Sequence, residues 1–339
     1  MIYSSVIDLI GSTPVVALHT IAPSDGAQVF VKIEGFNPGG SMKDRTAFNI
    51  IRQAEASGDL QPGGVIVESS SGNLAIGLAM IARIKGYRMI AVVDPKINRV
   101  NLRILQAYGA EIRMVNHPDK NGNYLAARLE LVQSLSEQLE HVYWPNQYNN
   151  PANPEAHRLG TAREIFQDFG QDLDWVVTPV GTAGLSTGCS MGLKELIPDI
   201  KVMAVDAEGS VIFGTPPGPR LQVGLGAAVV PGNLRPEFFD KVVHVTDREA
   251  FQMTRRLALE EGILAGGSSG SAVHAGIQLA KSLPPSQKVL IILPDRGERY
   301  YDTIFSDAWL EEHDILMDED IKDRYVNLHS TIPEMRISQ

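Results

Sequence analysis

Short apolar runs along this chain alternate with longer segments in which apolar residues recur three and four positions apart. The short runs predict buried strands at 65–68, 88–93, 111–115, 141–144, 175–180, 201–205, 242–245 and 289–293. The longer segments predict helices from residue 43 onward and at 74–84, 98–108, 123–139, 155–169, 184–196 and 247–261. Strands that alternate with helices of about 10–15 residues are typical of βαβ units. We therefore predict an α/β fold with mainly parallel sheets.

The alternation is interrupted by Pro151 and Pro154 and then resumes. This interruption predicts two α/β lobes that meet near Asn146, each a mainly parallel sheet flanked by helices. The smaller lobe is expected to span residues 38–145. The larger lobe is expected to combine residues 1–37 with residues 146–312. The remaining residues, 313–339, are polar and are expected to form a tail.

Composition and charge exclude several functions. The 339 residues are enough for a large core, and 30 basic against 40 acidic residues give a net charge of −10. No basic stripe offers a surface for nucleic acid. Residues 1–10 lack the pattern of a signal peptide, and no apolar run is long enough to span a bilayer. The single cysteine, Cys189, excludes an internal disulfide and a multi-thiolate metal site. We expect a cytoplasmic enzyme with no metal, nucleic-acid or membrane partner.

A glycine-rich turn at residues 37–45 leads into the first turn of a helix and carries Lys43. Ser41 followed by Asp44 is typical of a capping box at a helix start. Behind it, one apolar helix face is formed by Ala47, Ile50, Ile51 and Ala54. Taken alone, Lys43 is either a solvated surface charge, as most lysines are, or a covalent anchor beside an anion site.

Three further loops carry donors at strand-to-helix junctions. Residues 181–184 contain two glycines and precede a helix, where free backbone N–H groups and the helix dipole favour a phosphate. Residues 70–73 and 268–269 supply hydroxyl and amide groups, although ordinary helix caps have the same composition. Carboxyl ends of parallel strands are where open α/β sheets bind ligands. Together with Lys43, these loops suggest a site for a phosphorylated aldehyde cofactor.

Two common nucleotide motifs do not fit. The 181–184 loop lacks the lysine followed by serine or threonine that closes a nucleotide P-loop. The stretch 224–229 lacks the third glycine of a dinucleotide fingerprint.

The loops resemble the motifs of the cysteine synthase and cystathionine β-synthase family, the fold-type II pyridoxal-phosphate enzymes. Residues 37–45 are similar to the family pattern N-P-x-x-S-x-K-D-R, and residues 70–74 and 181–184 resemble T-S-G-N-T and G-T-G-G. Further blocks stand in the family's order at 146–148, 150–154, 262–270 and 297–300. The resemblance covers residues 6–310. It implies a two-lobed fold like the tryptophan synthase β-subunit, pyridoxal 5′-phosphate as cofactor, a phosphate loop in the larger lobe, and a homodimer.

The resemblance also implies roles for single residues. Lys43 corresponds to the Schiff-base lysine, Asn73 to the partner of the cofactor's ring hydroxyl, and Ser268 to the serine facing the pyridine nitrogen. A neutral hydroxyl there does not keep that nitrogen protonated, which favours β-elimination over transamination. The implied phosphate-binding residues are Gly181, Thr182, Ala183, Gly184, Leu185 and Ser186. The implied substrate-binding residues are Ser70, Ser71, Gln147 and Gly224. The implied reaction is a β-replacement through an aminoacrylate intermediate, with Lys43 moving the α-proton.

Several positions depart from ordinary cysteine synthases. The departures are Ser70, Leu74, Tyr148, Ala183 and Leu185. With Arg128 and the segment 294–300, they look more like the diaminopropionate branch, which joins O-phosphoserine to glutamate to give N-(2-amino-2-carboxyethyl)-L-glutamate for siderophores or peptide antibiotics. Arg128 would bind one acceptor carboxylate bidentately, and Tyr148 would donate a hydrogen bond.

Other functions stay open at this stage. Arg128 is equally consistent with an ordinary arginine on a helix surface. Tyr148 is also consistent with plain packing against the loop. A cysteine synthase that uses O-acetylserine or O-phosphoserine with sulfide is the alternative reaction. A lyase or dehydratase of the same fold and a non-catalytic binding module are the remaining hypotheses.

Overall fold

Two β-sheets with helices packed against them form the computed structural model, which describes residues 2–120, 122, 124–315 and 317–318. The strands are β1 (Val15–Ala17), β2 (Gln28–Ile33), β3 (Val65–Glu68), β4 (Arg88–Val93), β5 (Glu111–Met114), β6 (Val142–Tyr143), β7 (Trp175–Pro179), β8 (Lys201–Ala207), β9 (Lys241–Val245) and β10 (Lys288–Leu293). The helices are α1 (Lys43–Ser57), α2 (Asn73–Lys85), α3 (Arg99–Ala107), α4 (Tyr124–Gln138), α5 (Ala152–Ala156), α6 (Ala162–Phe169), α7 (Gly184–Leu196), α8 (Asp247–Glu261), α9 (Gly267–Lys281) and α10 (Asp307–Glu312). One π-helical turn, His157–Thr161, joins α5 to α6.

The two sheets are almost entirely parallel. The smaller sheet has the order β5-β4-β3-β6, and all its pairs are parallel. The larger sheet has the order β1-β2-β10-β7-β8-β9, in which only the pair β1–β2 is antiparallel. Strands β3 and β10 are buried almost throughout, which explains why both read as continuous apolar runs. The predicted α/β fold class is confirmed.

The lobe boundaries at 37/38 and 145/146 stay predictions. Of the predicted tail at 313–339, only residues 313–315 and 317–318 lie within the described residues. Among the helices of the described chain, none has both the length and the apolar character needed to cross a membrane.

Some elements were not predicted from the sequence. Strands β1 and β2, helix α10 and helix α9 were missed, and 265–270 was read as a loop although α9 begins at Gly267. Helix α9 packs closely on the larger sheet, because a Cβ at Gly276 would collide with the side chain of Ile291 on β10. The single helix predicted at 155–169 is instead α5, the π-helical turn and α6.

The predicted capping box at Ser41 and Asp44 is wrong. Helix α1 begins at Lys43, and its N-cap, Met42, makes no side-chain capping bond. Ser41 Oγ accepts a hydrogen bond from Lys43 N (3.2 Å), but the Asp44 carboxylate turns back and accepts from Gly39 N (2.5 Å). A Cβ at Gly39 would collide with that carboxylate, so glycine is required where the turn closes.

Candidate active site

A cavity of about 1020 Å³ opens where the carboxyl ends of strands from both sheets face each other. Ten of the sequence-predicted site residues line it: Lys43, Ser70, Ser71, Asn73, Arg128, Gln147, Tyr148, Gly181, Thr182 and Gly224. Five others do not line its wall and are buried behind it: Ala183, Gly184, Leu185, Ser186 and Ser268. The structure therefore brings together residues that lie far apart in the chain, including Lys43 and Thr182.

Lys43 faces this cavity from the first position of α1. Its Nζ donates a hydrogen bond to Thr182 Oγ1 at 3.1 Å. Removal from bulk water lowers the pKa of the Lys43 amine to about 8, and the negative charge of Glu68 opposes part of that shift. Lys43 is therefore not a freely solvated surface charge, and near pH 8 about half of its amines are neutral and nucleophilic.

The loop between β7 and α7, called the anion cup below, presents donor groups that suit a phosphate. Its backbone N–H groups stand at the start of α7, where they lack partners within the helix. Ala183, the N-cap, has a φ of +60°, a left-handed conformation uncommon for alanine. A Cβ at Gly181 would lie 2.6 Å from Gly224 O, so only glycine fits there. The buried Thr187 Oγ1 has no hydrogen-bond partner, which leaves it available at this helix start.

Asn73 is held by residues to which the sequence gave no role. Its Nδ2 donates to Asp295 Oδ2 (2.7 Å), and its Oδ1 accepts a hydrogen bond from Arg299. The same carboxylate accepts from Tyr300 OH (2.6 Å), while Arg299 also donates to Gly39 O. The segment after β10 thus fixes the Asn73 amide at the start of α2 and ties it to the Lys43 turn.

Glu68, at the end of β3, was also missed. It is 3% exposed and accepts a weak hydrogen bond from Trp144 Nε1 at 3.4 Å. Burial raises the pKa of its carboxyl to about 7, against hydrogen bonds from Trp144 and from the backbone of Ser69. The sequence signal for Glu68 was an acidic residue at the end of an otherwise apolar strand.

Arg128 and Tyr148 stand together at the cavity wall. The Arg128 side chain is only 14% exposed and its Nε lies 3.4 Å from Asp94 Oδ2, so it is not an ordinary solvated surface arginine. Burial raises the pKa of the Tyr148 phenol, and the cations of Arg128 and then Arg220 oppose that rise. Tyr148 also packs against a small apolar cluster that includes Val180 and Ala227, so it both packs and lines the cavity. Arg220, another lining residue, was not predicted.

Ser268 lies in the first turn of α9 and is 4% exposed. The hydroxyl of the next residue, Ser269, is buried with no hydrogen-bond partner. Within the described part of the chain, no group of three or more His, Cys, Asp or Glu side chains is placed to hold a metal ion.

Comparison with known proteins agrees with this geometry. A family model described as "Pyridoxal-phosphate dependent enzyme" matches residues 6–295. The crystal structure of O-ureido-L-serine synthase is 37% identical, with a TM-score of 0.84 over 92% of this chain and 100% of its own. The O-acetylserine dependent cystathionine β-synthase of Helicobacter pylori is 34% identical, with a TM-score of 0.82 over 89% of this chain and 98% of its own.

A cysteine synthase of Entamoeba histolytica is also 34% identical, with a TM-score of 0.85 over 96% of each chain. The family match covers most of the sequence, and these structural neighbours match nearly their whole lengths. This chain therefore belongs to the pyridoxal-phosphate dependent enzymes, among the members that carry out β-replacement.

Proposed function

We propose that this enzyme joins O-phospho-L-serine to L-glutamate and forms N-(2-amino-2-carboxyethyl)-L-glutamate. In this reaction the C–O bond at the β-carbon of phosphoserine breaks, and a C–N bond to the glutamate amine forms. One amine proton leaves with the inorganic phosphate, so atoms and charge balance. We further propose that the product serves L-2,3-diaminopropionate synthesis for a siderophore or peptide antibiotic, and that the enzyme is a cytoplasmic homodimer.

The residues present fit the family's cofactor. The cup at the start of α7 offers free N–H groups and an unpartnered buried hydroxyl for a phosphate. Lys43, Asn73 and Ser268 would hold the aldehyde, the ring hydroxyl and the pyridine nitrogen, in that order. When bound, pyridoxal phosphate supplies an electron sink that weakens the bonds at the α- and β-carbons of an amino acid.

Lys43 would act as the proton carrier. Its Nζ, when free, takes the α-proton of the donor and later returns it to the product. A pKa of about 8 suits both directions, because the neutral amine and the ammonium are present in similar amounts near pH 8. Ser70, Ser71 and Gln147 would bind the donor carboxylate at the cavity wall.

The observation that carries the choice of glutamate is the pair of arginines beside Tyr148. Sulfide is small and needs no guanidinium, whereas glutamate brings two carboxylates that match the donor fork of arginine. Arg128 is held in place by Asp94 and lines the same cavity as Arg220. A volume of about 1020 Å³ is also large enough for two amino acids beside the cofactor.

Cysteine synthase activity is the second candidate, supported by the 34% identity to the Entamoeba histolytica cysteine synthase over 96% of both chains. The solved structures that resemble this chain are named for different reactions, and O-ureido-L-serine synthase is one of them. One scaffold therefore accommodates several reactions, and the side chains that line the cavity must select among them.

The deciding experiment incubates the holoenzyme with O-phosphoserine or O-acetylserine, each paired with glutamate or sulfide. Products are identified by mass. We expect the glutamate adduct from O-phosphoserine, and phosphate release that requires the acceptor. Cysteine as the main product would replace our proposal with the second candidate. Pyruvate formed from the donor alone would instead identify a lyase.

A further inference from the structure

Asn153 lies beneath the site and touches three of its parts. It belongs to α5 and is fully buried. Its Nδ2 donates to Thr182 Oγ1 at 3.1 Å and to Gln147 O at 2.8 Å, and its Oδ1 accepts from Thr46 Oγ1 at 3.0 Å. One amide thus links the anion cup, the substrate loop and the helix that carries Lys43. A Cβ at Gly184 would collide with this amide, so α7 begins directly against it.

The direction of these hydrogen bonds follows from their chemistry. Gln147 O can only accept, so the NH₂ group of Asn153 must face it and Thr182. The oxygen of that amide can only accept, so the single hydroxyl hydrogen of Thr46 is donated to Asn153 Oδ1. The His157 Nε2 that lies 3.1 Å from Thr46 Oγ1 must therefore carry the hydrogen and donate.

His157 completes the chain as a neutral ring. Burial lowers the pKa of its imidazole to about 3, so only one ring nitrogen carries a hydrogen at neutral pH. Because Nε2 donates to Thr46, Nδ1 accepts from Thr161 Oγ1 at 3.0 Å. Donation therefore runs in one direction, from Thr161 through His157, Thr46 and Asn153 to Thr182.

The chain ends on a hydroxyl whose acceptor capacity is filled. Thr182 Oγ1 accepts from both Asn153 Nδ2 and Lys43 Nζ, each at 3.1 Å, and a hydroxyl oxygen has two lone pairs. The Asn153 NH₂ group and the ammonium form of Lys43 have no lone pair, so neither can accept the hydrogen of the Thr182 hydroxyl. The hydrogen of the Thr182 hydroxyl is therefore available to an anion bound in the cup at the start of α7.

We propose that Asn153 is a positioning residue for the cofactor phosphate, and that it acts by holding the Thr182 hydroxyl as a donor to that anion. This inference rests on the proposed function only in placing the phosphate at residues 181–186. It does not depend on the donor or the acceptor of the reaction. The chain Thr161–His157–Thr46 serves to fix the Asn153 amide in the required orientation.

The test compares pyridoxal phosphate with pyridoxal, which lacks the phosphate. The full-length apoenzyme is titrated with each, and binding is followed by absorbance and tryptophan fluorescence with no substrate present. In the Asn153→Asp variant, the new carboxylate accepts from Thr182 and takes its hydrogen away from the cup. We expect pyridoxal phosphate to bind tenfold or more weakly while the affinity for pyridoxal stays within twofold.

The matched control is Asn149→Asp, an exposed asparagine of the same segment, which should change neither affinity. Thermal unfolding of each apoenzyme shows whether the variant is folded. If Asn153→Asp does not fold, Thr46→Val and Thr46→Ser decide by the same ratio, since valine removes the hydroxyl and serine keeps it.

Equal losses for the two ligands would show a merely structural role and overturn the proposal, as would an unchanged ratio in a folded variant. Because no substrate is used, a wrong choice of glutamate or phosphoserine would leave this result untouched. The two proposals therefore fail separately.

Discussion

The negative charge of Glu68 acts on the protonation of the Lys43 amine. Burial lowers the pKa of the lysine amine, and the Glu68 carboxylate works in the opposite direction. Burial raises the pKa of the Glu68 carboxyl itself to about 7. Its negative charge therefore develops in the same pH range in which Lys43 loses its proton.

We expect Glu68→Gln to lower the pKa of Lys43, because it removes the charge that favours the ammonium form. Capture of pyridoxal phosphate by the apoenzyme should then reach half its maximal rate at a lower pH than in the wild type. The measurement is the pH profile of that rate by absorbance. Glu55→Gln, which alters an outer ion pair with Lys85, is the control and should leave the midpoint unchanged. A midpoint that moves upward would contradict this account of Glu68.

Arg128 gives a prediction about the acceptor. Arg128→Ala should raise the KM for glutamate by about tenfold to a hundredfold, the range expected for losing a charge-assisted contact. The KM for the phosphoserine donor should change much less. Arg128→Lys should recover only part of the loss, since lysine lacks the bidentate fork.

Steady-state kinetics with each substrate varied in turn will measure this split. Arg88→Ala is the control, because Arg88 makes an exposed ion pair with Glu111. A loss in kcat with no change in either KM would mean that Arg128 supports the fold rather than the acceptor.

At the scale of elements, the start of α7 depends on one close approach. Gly184 is the first residue of α7, and a Cβ there would meet the Asn153 amide, which itself is locked by three hydrogen bonds. Gly184→Ala should therefore cost about 1–3 kcal/mol of unfolding free energy and weaken cofactor binding, because the amide or the helix must move.

Gly160→Ala is the matched control within a helical segment. A Cβ at Gly160 would meet only the end of the Arg45 side chain at 3.4 Å, an ordinary contact. Urea unfolding of both apoenzymes tests the difference, and similar stabilities would contradict the packing argument at Gly184.

The strands and helices differ in how well the sequence alone predicts them. Strands β3, β4, β7 and β10 were found because strands buried on both faces are continuously apolar. Strand β2 was missed because it contains Lys32, and a lysine is not expected in a buried strand. Its buried ammonium is paired with Glu164, which lies far along the chain. Helix α9 was missed because its first turn consists of glycine and serine, a composition that predicts a loop.

The candidate site, too, could be predicted only in part from the sequence. The loops at 37–45, 70–74 and 181–184 were predicted because each carries a local pattern of glycine and hydroxyl residues. Asp295 and Asn153 lie in segments that contribute to the family resemblance, but no local pattern gives either residue a role. Their partners, Asn73 and Thr46, lie more than a hundred positions away, so only the folded chain reveals these contacts.

For the molecule as a whole, a buried ion cluster joins α1 to the larger sheet. Arg45 Nε lies 2.7 Å from Glu34 Oε2, and Arg45 Nη1 lies 2.6 Å from Glu164 Oε1. Lys32 Nζ adds a contact to Glu164 at 3.0 Å. Because these residues come from α1, from the end of β2 and from α6, the cluster fixes the Lys43 helix against the sheet that carries the anion cup.

The cations lower the pKa of the Glu34 carboxyl and bring that of Glu164 to about 2. A depressed carboxyl pKa contributes stability above the unfolded-state value and loses it as the pH falls toward the folded-state value. The contribution of the cluster is therefore complete at pH 7 and declines from about pH 4.5 downward.

Arg45→Met tests this contribution, because it keeps most of the side-chain volume but leaves the buried Glu34 without its cation. We expect a loss of about 3–5 kcal/mol in unfolding free energy at pH 7, the cost of an uncompensated buried charge. At pH 4 the loss should shrink, since the unpaired Glu34 can take up a proton. Arg88→Met, at an exposed pair, should cost less than about 1 kcal/mol at either pH. Urea unfolding at both pH values measures all four quantities, and a loss at Arg45 that does not depend on pH would assign the effect to packing instead of charge.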